Sequence, residues 1–393
     1  MTASALLADP PARPVADGAC SAASGATGGI DVLTSLDAAR ADWMELAAAA
    51  GASPYQALDF VEAWFETVGA AQGAAPAIVV ARDGAERPLA LLPLAVRRLG
   101  PLTVAAFPGG RDSNFNLGLY PPGGAWTGEA IHALLSAAAR ARRIDCFVLL
   151  NQPRRWDGRA NPMLALGGDP SPSGAGRAVL PRSFDAWRAL PSKAARKKLR
   201  QAATRLAAIG AVAHSRAETR GEAGMILDAF LAQKRAAAAA GGPPNPYASE
   251  ASQRFLRALA DRGVLELHAL ALDGRPVATF GGLVAHGRLS GLLLSHDADR
   301  EIARSSPGRL LLQEVVGSAI ARGLHTFDLG VGEARYKDEL CPEAEPLFDV
   351  FVGATLRGRV AATAFRFARR AKGRIKRSPR LLAVAARIRR LSG

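Results

Sequence analysis

Residues 264–285 read VLELHALALDGRPVATFGGLVA, two apolar runs that meet at Asp273 and Gly274. An Asp-Gly pair between two such runs is a strong signal for a tight turn, so this stretch predicts a β-hairpin. The first half of the chain carries the same arrangement at 76–96, PAIVVARDGAERPLALLPLAV, around Asp83 and Gly84. The two Asp-Gly pairs lie 190 positions apart, which indicates that one structural unit occurs twice.

The segments around both hairpins follow one order. In each half a strand and two helical stretches come before the hairpin, and a strand, a helix and a buried strand come after it. In the first half these are GIDVLTS, SLDAARADWMELAAAAG, QALDFVEAWFETVG, LTVAAF, GEAIHALLSAAARAR and IDCFVLL. In the second half they are AVAHSRA, EAGMILDAFLAQKRAAAAA, ASQRFLRALADRG, RLSGLLLSHD, the helix after Pro307 and HTFDLG. This order predicts a duplicated α/β domain with mixed, mostly antiparallel sheets flanked by helices.

The remaining segments differ in composition. Residues 1–29 are rich in Ala, Gly, Pro and Ser, which predicts a disordered tail. A Pro- and Gly-rich stretch in the middle of the chain predicts an ordered loop and a linker. The expected domains are therefore 30–180, which includes the linker, and 181–352, followed by a basic amphipathic helical tail at 353–393.

Charge and cysteine usage limit the function classes. The net charge is +15, but thirteen Lys and Arg without an acid follow from Arg357 onward, so the rest of the chain is nearly neutral. The tail predicts either contact with an anionic membrane surface or a solvated helix. The three cysteines, Cys20, Cys146 and Cys341, are far apart, which argues against a disulfide framework and a zinc site. No apolar run reaches the length of a membrane span, so we expect a cytoplasmic protein, either free or peripheral at the inner membrane.

Residues 305–316, SSPGRLLLQEVV, mark the start of a helix. Ser306 is the expected N-cap, and a proline occupies the first helical position. The amides of Gly308, Arg309 and Leu310 are then expected to lack intrahelical acceptors and to face an anion. The alternative is a capped core helix that binds nothing.

A second candidate surface is the helical stretch PSKAARKKLRQAATRLAAIG. Its cations Lys193, Arg196, Lys197 and Arg200 fall on one face, opposite an apolar stripe. Such a face fits a phosphorylated substrate, the phosphates of a coenzyme, a tRNA acceptor stem or plain solvent. No aromatic residues for base stacking accompany it, which weakens the nucleic-acid alternative.

The order of elements resembles the GNAT acyltransferase (acyl-CoA N-acyltransferase) fold in tandem. The second half resembles the BioF-type acetyltransferase domain family of cellulose and exopolysaccharide biosynthesis, which is similar to the FemAB-like twin-GNAT transferases. The second-half segments that carry the resemblance are SKAARKKLRQAATRLAAIGAVAH, GVLELHALALDGRPVATFGGLV and SSPGRLLLQEVVGSAIARGLHTFDLGVGEARYKDEL. In the first half they are SPYQALDFVEAW, LPLAV, FPGGRDSNFNLGL and NQPRRWDGRANP. The resemblance covers roughly residues 30–352 and implies acetyl-CoA as co-substrate, no metal, and a small-molecule or saccharide acceptor.

The resemblance also implies the residues that bind the coenzyme. In GNAT enzymes the turn before the helix holds the pyrophosphate with Arg or Gln, two residues, Gly, one residue, and Gly or Ala. Arg304 matches the first position, whereas Pro307 and Arg309 stand where small residues are expected. The implied cofactor-binding set is Arg304, Ser306, Gly308, Arg309 and Leu310.

The catalytic candidates follow the last strand of the second half. By resemblance, Tyr336 is the general acid toward the leaving thiolate, and Lys337 stabilises the developing charge or holds a phosphate. Asp328 or Glu333 is the candidate base, and Asp297 is a third choice. For each residue a buried or solvated structural role is the alternative.

Three functions remain open at this stage. The first is transfer of an acetyl group to an amine or hydroxyl of a sugar or related metabolite in envelope polysaccharide formation. The second is a Fem-type transfer from aminoacyl-tRNA, and the third is a non-catalytic scaffold of a polysaccharide assembly. Trp156, Asn151, Asn114 and Tyr247 either line the acceptor cleft or anchor loops.

Overall fold

The computed structural model describes residues 28–332 and 334–378. Within these ranges the chain forms two seven-stranded sheets with helices against them. The expected N-terminal tail lies outside the described residues apart from Gly28 and Gly29. Gly29 already belongs to the first strand.

The first half contains five strands and three helices in the predicted order. The strands are β1 (Gly29–Leu33), β2 (Ala75–Arg82), β3 (Pro88–Leu99), β4 (Leu102–Ala106) and β5 (Cys146–Pro153). The helices are α1 (Leu36–Ala50), α2 (Leu58–Trp64) and α3 (Gly128–Arg142), and a π-helical turn, Phe65–Gly69, continues α2. α1 ends at Gly51, whose left-handed φ of 60° lets the chain turn without a side-chain clash.

The segment between the halves is ordered. It forms the short strands β6 (Arg155–Trp156), β7 (Arg159–Ala160), β8 (Asp169–Pro170) and β9 (Ala175–Val179), followed by helices α4 (Phe184–Ala189) and α5 (Lys193–Ala207).

The second half repeats the order of the first. Its strands are β10 (Val212–Arg216), β11 (Leu265–Leu272), β12 (Arg275–Ala285), β13 (Arg288–His296), β14 (Thr326–Val331), β15 (Glu343–Glu345) and β16 (Leu347–Gly353). Its helices are α6 (Arg220–Ala239), α7 (Glu250–Asp261), α8 (Arg300–Ala303), α9 (Pro307–Ala321), α10 (Arg335–Leu340) and α11 (Leu356–Arg377).

The two sheets have matching topologies. The first has the strand order β1-β2-β3-β4-β5-β16-β8, and the second has β10-β11-β12-β13-β14-β9-β15. Each contains one parallel pair, β4 with β5 and β13 with β14, among antiparallel neighbours. The sequence-based expectation of mixed, mostly antiparallel sheets is confirmed.

Two strands cross between the halves. β9 comes from the segment after the first half but pairs with β14 in the second sheet, and β16 pairs with β5 in the first sheet. β9 thus hydrogen-bonds the edge of β14 that is not paired with β13, and β16 hydrogen-bonds the edge of β5 that is not paired with β4. A boundary at residue 180 therefore does not separate the two sheets.

The two Asp-Gly turns differ. Asp273 and Gly274 have φ angles of 48° and 78° and link β11 to β12 directly, as a two-residue hairpin of the predicted kind. The first hairpin has a five-residue loop instead, in which the Asp83 carboxylate accepts the amides of Ala85 and Arg87. Glu86 there has a φ of 60°.

One hydrophobic core cluster draws on both halves. The rings of Phe60 on α2 and Phe255 on α7 meet edge to face, with centroids 5.3 Å apart, and both side chains are fully buried. Separate clusters pack α3 on the first sheet and α9 on the second. The halves therefore form one packed body whose shared core lies between α1, α2, α6 and α7.

The basic C-terminal segment is a helix over its described part, as expected, but it is not a free appendage. α11 packs on β16 and β5, and its cations pair with carboxylates of the first sheet and its loops. These ion pairs are Arg357 with Asp145, Arg369 with Asp349, and both Arg366 and Arg370 with Asp169. No helix among the described residues is long and apolar enough to cross a bilayer.

Candidate active site

The second sheet opens at its parallel pair. β13 and β14 share only three register pairs, the last of which joins Ser290 and Asp328. β13 continues to His296 and β14 to Val331 without further pairing between them. The wedge between these strand ends, here called the β13/β14 splay, lies at the carboxyl ends of two parallel strands, where ligands of open α/β sheets usually bind.

The start of α9 offers one free amide, not three. The Ser306 carbonyl accepts the amides of Arg309 at 2.9 Å and Leu310 at 3.3 Å, so the expectation that these two amides lack acceptors is wrong. The reason is that residue N4 of a helix already bonds the N-cap carbonyl, and the left-handed Ser306 (φ 49°) also brings that carbonyl to Arg309.

The Gly308 amide, in contrast, can donate a hydrogen bond to a ligand. It has no hydrogen-bond partner among the described residues, and a Cβ added at this glycine would meet no heavy atom within 4 Å. Pro307 contributes no N–H, as expected at the first position of a helix. Gly308 is buried, and its amide is a single main-chain donor at the positive end of the helix dipole.

Cationic side chains surround this helix start. Arg304, which is exposed, ends α8, and its carbonyl accepts Nη2 of Arg205 at 3.2 Å. Arg205 belongs to α5, so this hydrogen bond holds α5 next to the start of α9. Lys197, Arg200, Gln201, Thr204 and Arg205 line an open groove of about 470 Å³ on α5.

The Arg309 side chain is already occupied. Its Nη2 lies 2.6 Å from the Glu339 carboxylate of α10, which also contacts Arg335. This pair ties the beginning of α9 to the helix that carries the catalytic candidates. Arg309 therefore fixes the position of α10, and its charge is partly neutralised.

Tyr336 and Lys337 lie on α10 beside the splay. Lys337 Nζ donates to the carbonyls of Leu329, at 2.6 Å, and Val331, at 3.4 Å, where β14 leaves its paired region. Burial lowers the pKa of the Lys337 ammonium and raises that of the half-buried Tyr336 hydroxyl. The Tyr336 hydroxyl has no hydrogen-bond partner among the described residues, so a protonated phenol is available as an acid.

The three candidate bases differ in their surroundings. Asp328 is fully buried and accepts hydrogen bonds from Ser290 Oγ at 2.6 Å, Arg288 Nε at 2.7 Å and the Gly330 amide at 2.8 Å. These contacts favour a structural role for Asp328 over that of a base. Asp297 pairs with Arg275 at the far end of β13, and Glu333 lies outside the described residues.

Arg288 is the centre of a buried cluster that sequence reasoning missed. Its guanidinium binds Asp328 and, through two nitrogens, Glu345 at 3.0 and 2.6 Å. The rings of Phe115, on a loop of the first half, and Trp156, on β6, lie 4.7 and 4.3 Å from its central carbon. The cluster thus joins β13, β14 and β15 to β6 and a loop of the first half.

A first-half asparagine reaches the splay. Asn114 accepts the Val331 amide at 3.0 Å, donates to the Tyr55 hydroxyl at 2.7 Å and lies 3.5 Å from the Gly291 carbonyl. It therefore bridges β13 and β14 where they diverge. Of the four residues weighed for the acceptor cleft, Asn114 and Trp156 lie at this interface between the halves.

Residues 193–338 match the family model described as an acetyltransferase (GNAT) domain. The second half has the fold of this domain, and the sheet of the first half repeats its strand order. The match contains β13, β14, α9 and most of α10, and it supports an acyltransferase. No curated protein sequence matches the chain.

Three solved structures share this fold over most of the chain. FemX aligns with a TM-score of 0.56 at 12% identity, over 82% of this chain and 97% of its own. A conserved protein of unknown function from Bacteroides thetaiotaomicron gives 0.51 at 13% identity, over 82% and 98%. L-PGS from Bacillus licheniformis gives 0.50 at 12% identity, over 85% and 96%. At these identities the likeness concerns the fold alone.

Proposed function

We propose that this protein is an acetyltransferase that moves the acetyl group of acetyl-CoA to an amine or hydroxyl of a sugar or related metabolite, in envelope polysaccharide formation. The GNAT-domain match over residues 193–338, which spans the β13/β14 splay, carries this proposal. The polysaccharide context rests on the sequence resemblance to BioF-type proteins.

The residues around the splay fit a coenzyme thioester. The Gly308 amide has no hydrogen-bond partner among the described residues and no Cβ beside it, which suits a phosphate group, and the cations of α5 and Arg304 supply countercharge. Ser306 contributes through its left-handed backbone, which shapes the turn. Arg309 and Leu310 contribute by position only, because their amides are paired.

Acyl transfer from a thioester requires charge stabilisation and proton transfer. Acyl transfer forms a bond between the acceptor and the acyl carbon, breaks the C–S bond and releases a thiolate. The amine or hydroxyl of the acceptor loses a proton to solvent, and the thiolate takes up a proton from an acid. We assign the proton to the Tyr336 hydroxyl and the stabilisation of the carbonyl oxygen to the Lys337 ammonium, which lies against the β14 end of the splay.

Replacing Tyr336 by Phe should lower the turnover number on the order of 100-fold, because the thiolate would lose its proton donor. The stability should stay unchanged, since the hydroxyl makes no hydrogen bond among the described residues. Steady-state kinetics and a thermal melt measure both effects. Unchanged turnover would remove Tyr336 from the mechanism.

A second candidate is a Fem-type transfer from aminoacyl-tRNA. The whole-chain fold likeness to FemX and the exposed cations Lys193, Lys197 and Arg200 on α5 favour it. Calorimetry separates the two proposals. Acetyl-CoA binding at micromolar concentration supports the acetyltransferase, whereas no acetyl-CoA binding combined with transfer from charged tRNA supports the Fem-type reaction.

We further propose that α11 places the protein at the inner face of an anionic membrane. Leu356, Val360 and Phe367 are 80%, 73% and 64% exposed on a helix that carries nine cations and no acid. Arg359 and Arg374 have no carboxylate partner among the described residues. The part of the proposed tail beyond Ser378 lies outside the described residues.

The double variant Val360→Asp and Phe367→Asp should weaken binding to vesicles containing phosphatidylglycerol by at least about 10-fold, because it adds two charges to the lipid-facing side. Co-sedimentation at low and high salt measures this. Met225→Asp, a change at an equally exposed apolar residue on α6, should leave binding unchanged. Equal loss in both variants, or in neither, would contradict the assignment.

A further inference from the structure

A second cavity, separate from the splay, lies between the two halves. Its volume is about 340 Å³, within the range of small-molecule sites. The first half supplies Trp64 and the turn 109–112, and the second half supplies Ser249 and Ser252 at the start of α7. Gly109 has a φ of 93°, and a Cβ there would lie 2.6 Å from that of Ser113, so this turn requires glycine.

The cavity contains a carboxylate that accepts no hydrogen bond from a described residue. Asp112 is only 4% exposed, and no described residue donates a hydrogen bond to its side chain. The nearest cation is Arg111, whose Nε lies 4.0 Å from Oδ1. The Arg111 Nη2 is directed elsewhere, to the Pro246 carbonyl and to Ser252 Oγ. A buried carboxylate whose one ion pair is 4.0 Å long and that accepts no hydrogen bond is costly, which favours a bound cation as a further partner.

A second unsatisfied group belongs to the same cavity. Trp64 is 3% exposed, and its indole N–H has no partner among the described residues. A buried indole donor requires an acceptor, and the indole ring favours a cation at its face. The hydroxyls of Ser249 and Ser252 add further polar groups. The wall thus offers one anionic acceptor, one donor and two hydroxyls around an aromatic surface.

This cavity is close to the splay along the chain. Asp112 lies two residues before Asn114, which contacts both Val331 and Gly291 at the point where the strands diverge. Two residues span at most about 7 Å. The cavity and the splay are therefore bordered by the same short loop, with Asp112 at the cavity and Asn114 at the splay.

We infer that this cavity binds a compound with a primary ammonium group beside hydroxyl groups, with the ammonium on the Asp112 carboxylate and a hydroxyl on the Trp64 N–H. We assign this compound as the acyl acceptor, an inference that rests on the proposed function. Amino sugars and amino alcohols have this chemistry. Burial raises the pKa of Asp112 to about 6, against the nearby charge of Arg111, and the Tyr247 hydroxyl is the other ionisable group that interacts with this carboxylate.

The test measures the binding of amines to the full chain at pH 7.5, by tryptophan fluorescence or by calorimetry. Glucosamine, ethanolamine and 1,5-diaminopentane are compared with their neutral counterparts glucose, ethylene glycol and 1,5-pentanediol. At least one amine should bind 10-fold more tightly than its counterpart. Its affinity should fall about 10-fold from pH 7 to pH 5, because Asp112 becomes protonated below a pKa of about 6.

Asp112→Asn should remove the preference for the amine and its pH dependence. Asp59→Asn, an exposed carboxylate on α2, should keep both. Trp64→Phe, which retains the carboxylate, should lower affinity for the hydroxylated amines more than for 1,5-diaminopentane. Absence of any preference for amines, or a preference that survives Asp112→Asn, would overturn the inference.

Acetyl-CoA titration of the same preparation separates this inference from the proposed function. Donor binding without amine binding would contradict the acceptor site alone. Amine binding that depends on Asp112, without donor binding, would contradict the acetyltransferase proposal and retain the site. The pH dependence in the unsubstituted protein tests the site even where Asp112→Asn fails to fold.

Discussion

Replacing Arg288 by Met should destabilise the protein by about 3 to 5 kcal/mol. Its guanidinium neutralises two carboxylates, Asp328 and Glu345, whose side chains are 0% and 8% exposed. Methionine fills much of the same space between Phe115 and Trp156 but leaves both charges buried without a partner. Chemical denaturation with intrinsic tryptophan fluorescence measures the change in the free energy of unfolding.

Two further variants show that charge, and not packing, causes the loss. Arg275→Met removes an ion pair with Asp297 in which the arginine is 59% exposed, so it should cost less than about 1 kcal/mol. Adding Glu345→Gln to Arg288→Met should recover part of the stability, because one unpaired charge disappears. A loss no larger than that of Arg275→Met would mean that water or other groups already neutralise the cluster.

Local signals predicted the repeated elements well. The pair Asp273 and Gly274 permits positive φ at both turn residues, so neighbouring apolar runs had one short way to pair. The apolar periodicity after Pro307 likewise matches residues of α9 that are fully buried, such as Leu312 and Val315. These features depend on residues close together in the sequence, which is why pattern alone was sufficient.

The strand exchange could not be predicted in this way. β9 and β16 are short and pair with strands more than 140 positions away in the chain. The residues of β9 and β16 do not show which strand they will pair with. The edges of β14 and β5 that they cover exist only in the folded sheets. The docking of α11 has the same origin, since Asp145, Asp169 and Asp349 become a surface for cations only in the folded sheet.

The candidate site was predicted in part. The start of α9 was found from Ser306, Pro307 and Gly308, but the count of free amides was wrong because helix geometry pairs the fourth amide with the N-cap carbonyl. Nothing in the sequence around Arg288 or Asp112 marks either residue. Both gain their chemistry from side chains distant in the sequence, Asp328 and Glu345 for Arg288 and Trp64 and Ser252 for Asp112, which only the tertiary structure brings near.

The variant Gly308→Glu should weaken acetyl-CoA binding by at least about 100-fold without loss of the fold. A Cβ at this position has no neighbour within 4 Å, so the new side chain starts without a clash, next to the amide that has no hydrogen-bond partner among the described residues. A carboxylate there repels a phosphate at close range and competes for the same N–H. Because acids near a helix start are favourable by about 0.3 to 1 kcal/mol, the melting temperature should stay the same or rise.

Two glycine variants separate charge from the loss of glycine itself. Gly308→Ala fills little of the space and should reduce affinity by no more than about 10-fold, because the amide stays available. Gly224→Glu makes the same change of charge on α6, where the added Cβ also meets nothing within 4 Å, and should bind acetyl-CoA normally. If Gly308→Glu binds acetyl-CoA as tightly as Gly224→Glu, the phosphates of the donor lie away from the start of α9. The phosphates would then bind in the cationic groove of α5, and Arg200→Ala would lower the affinity for acetyl-CoA instead.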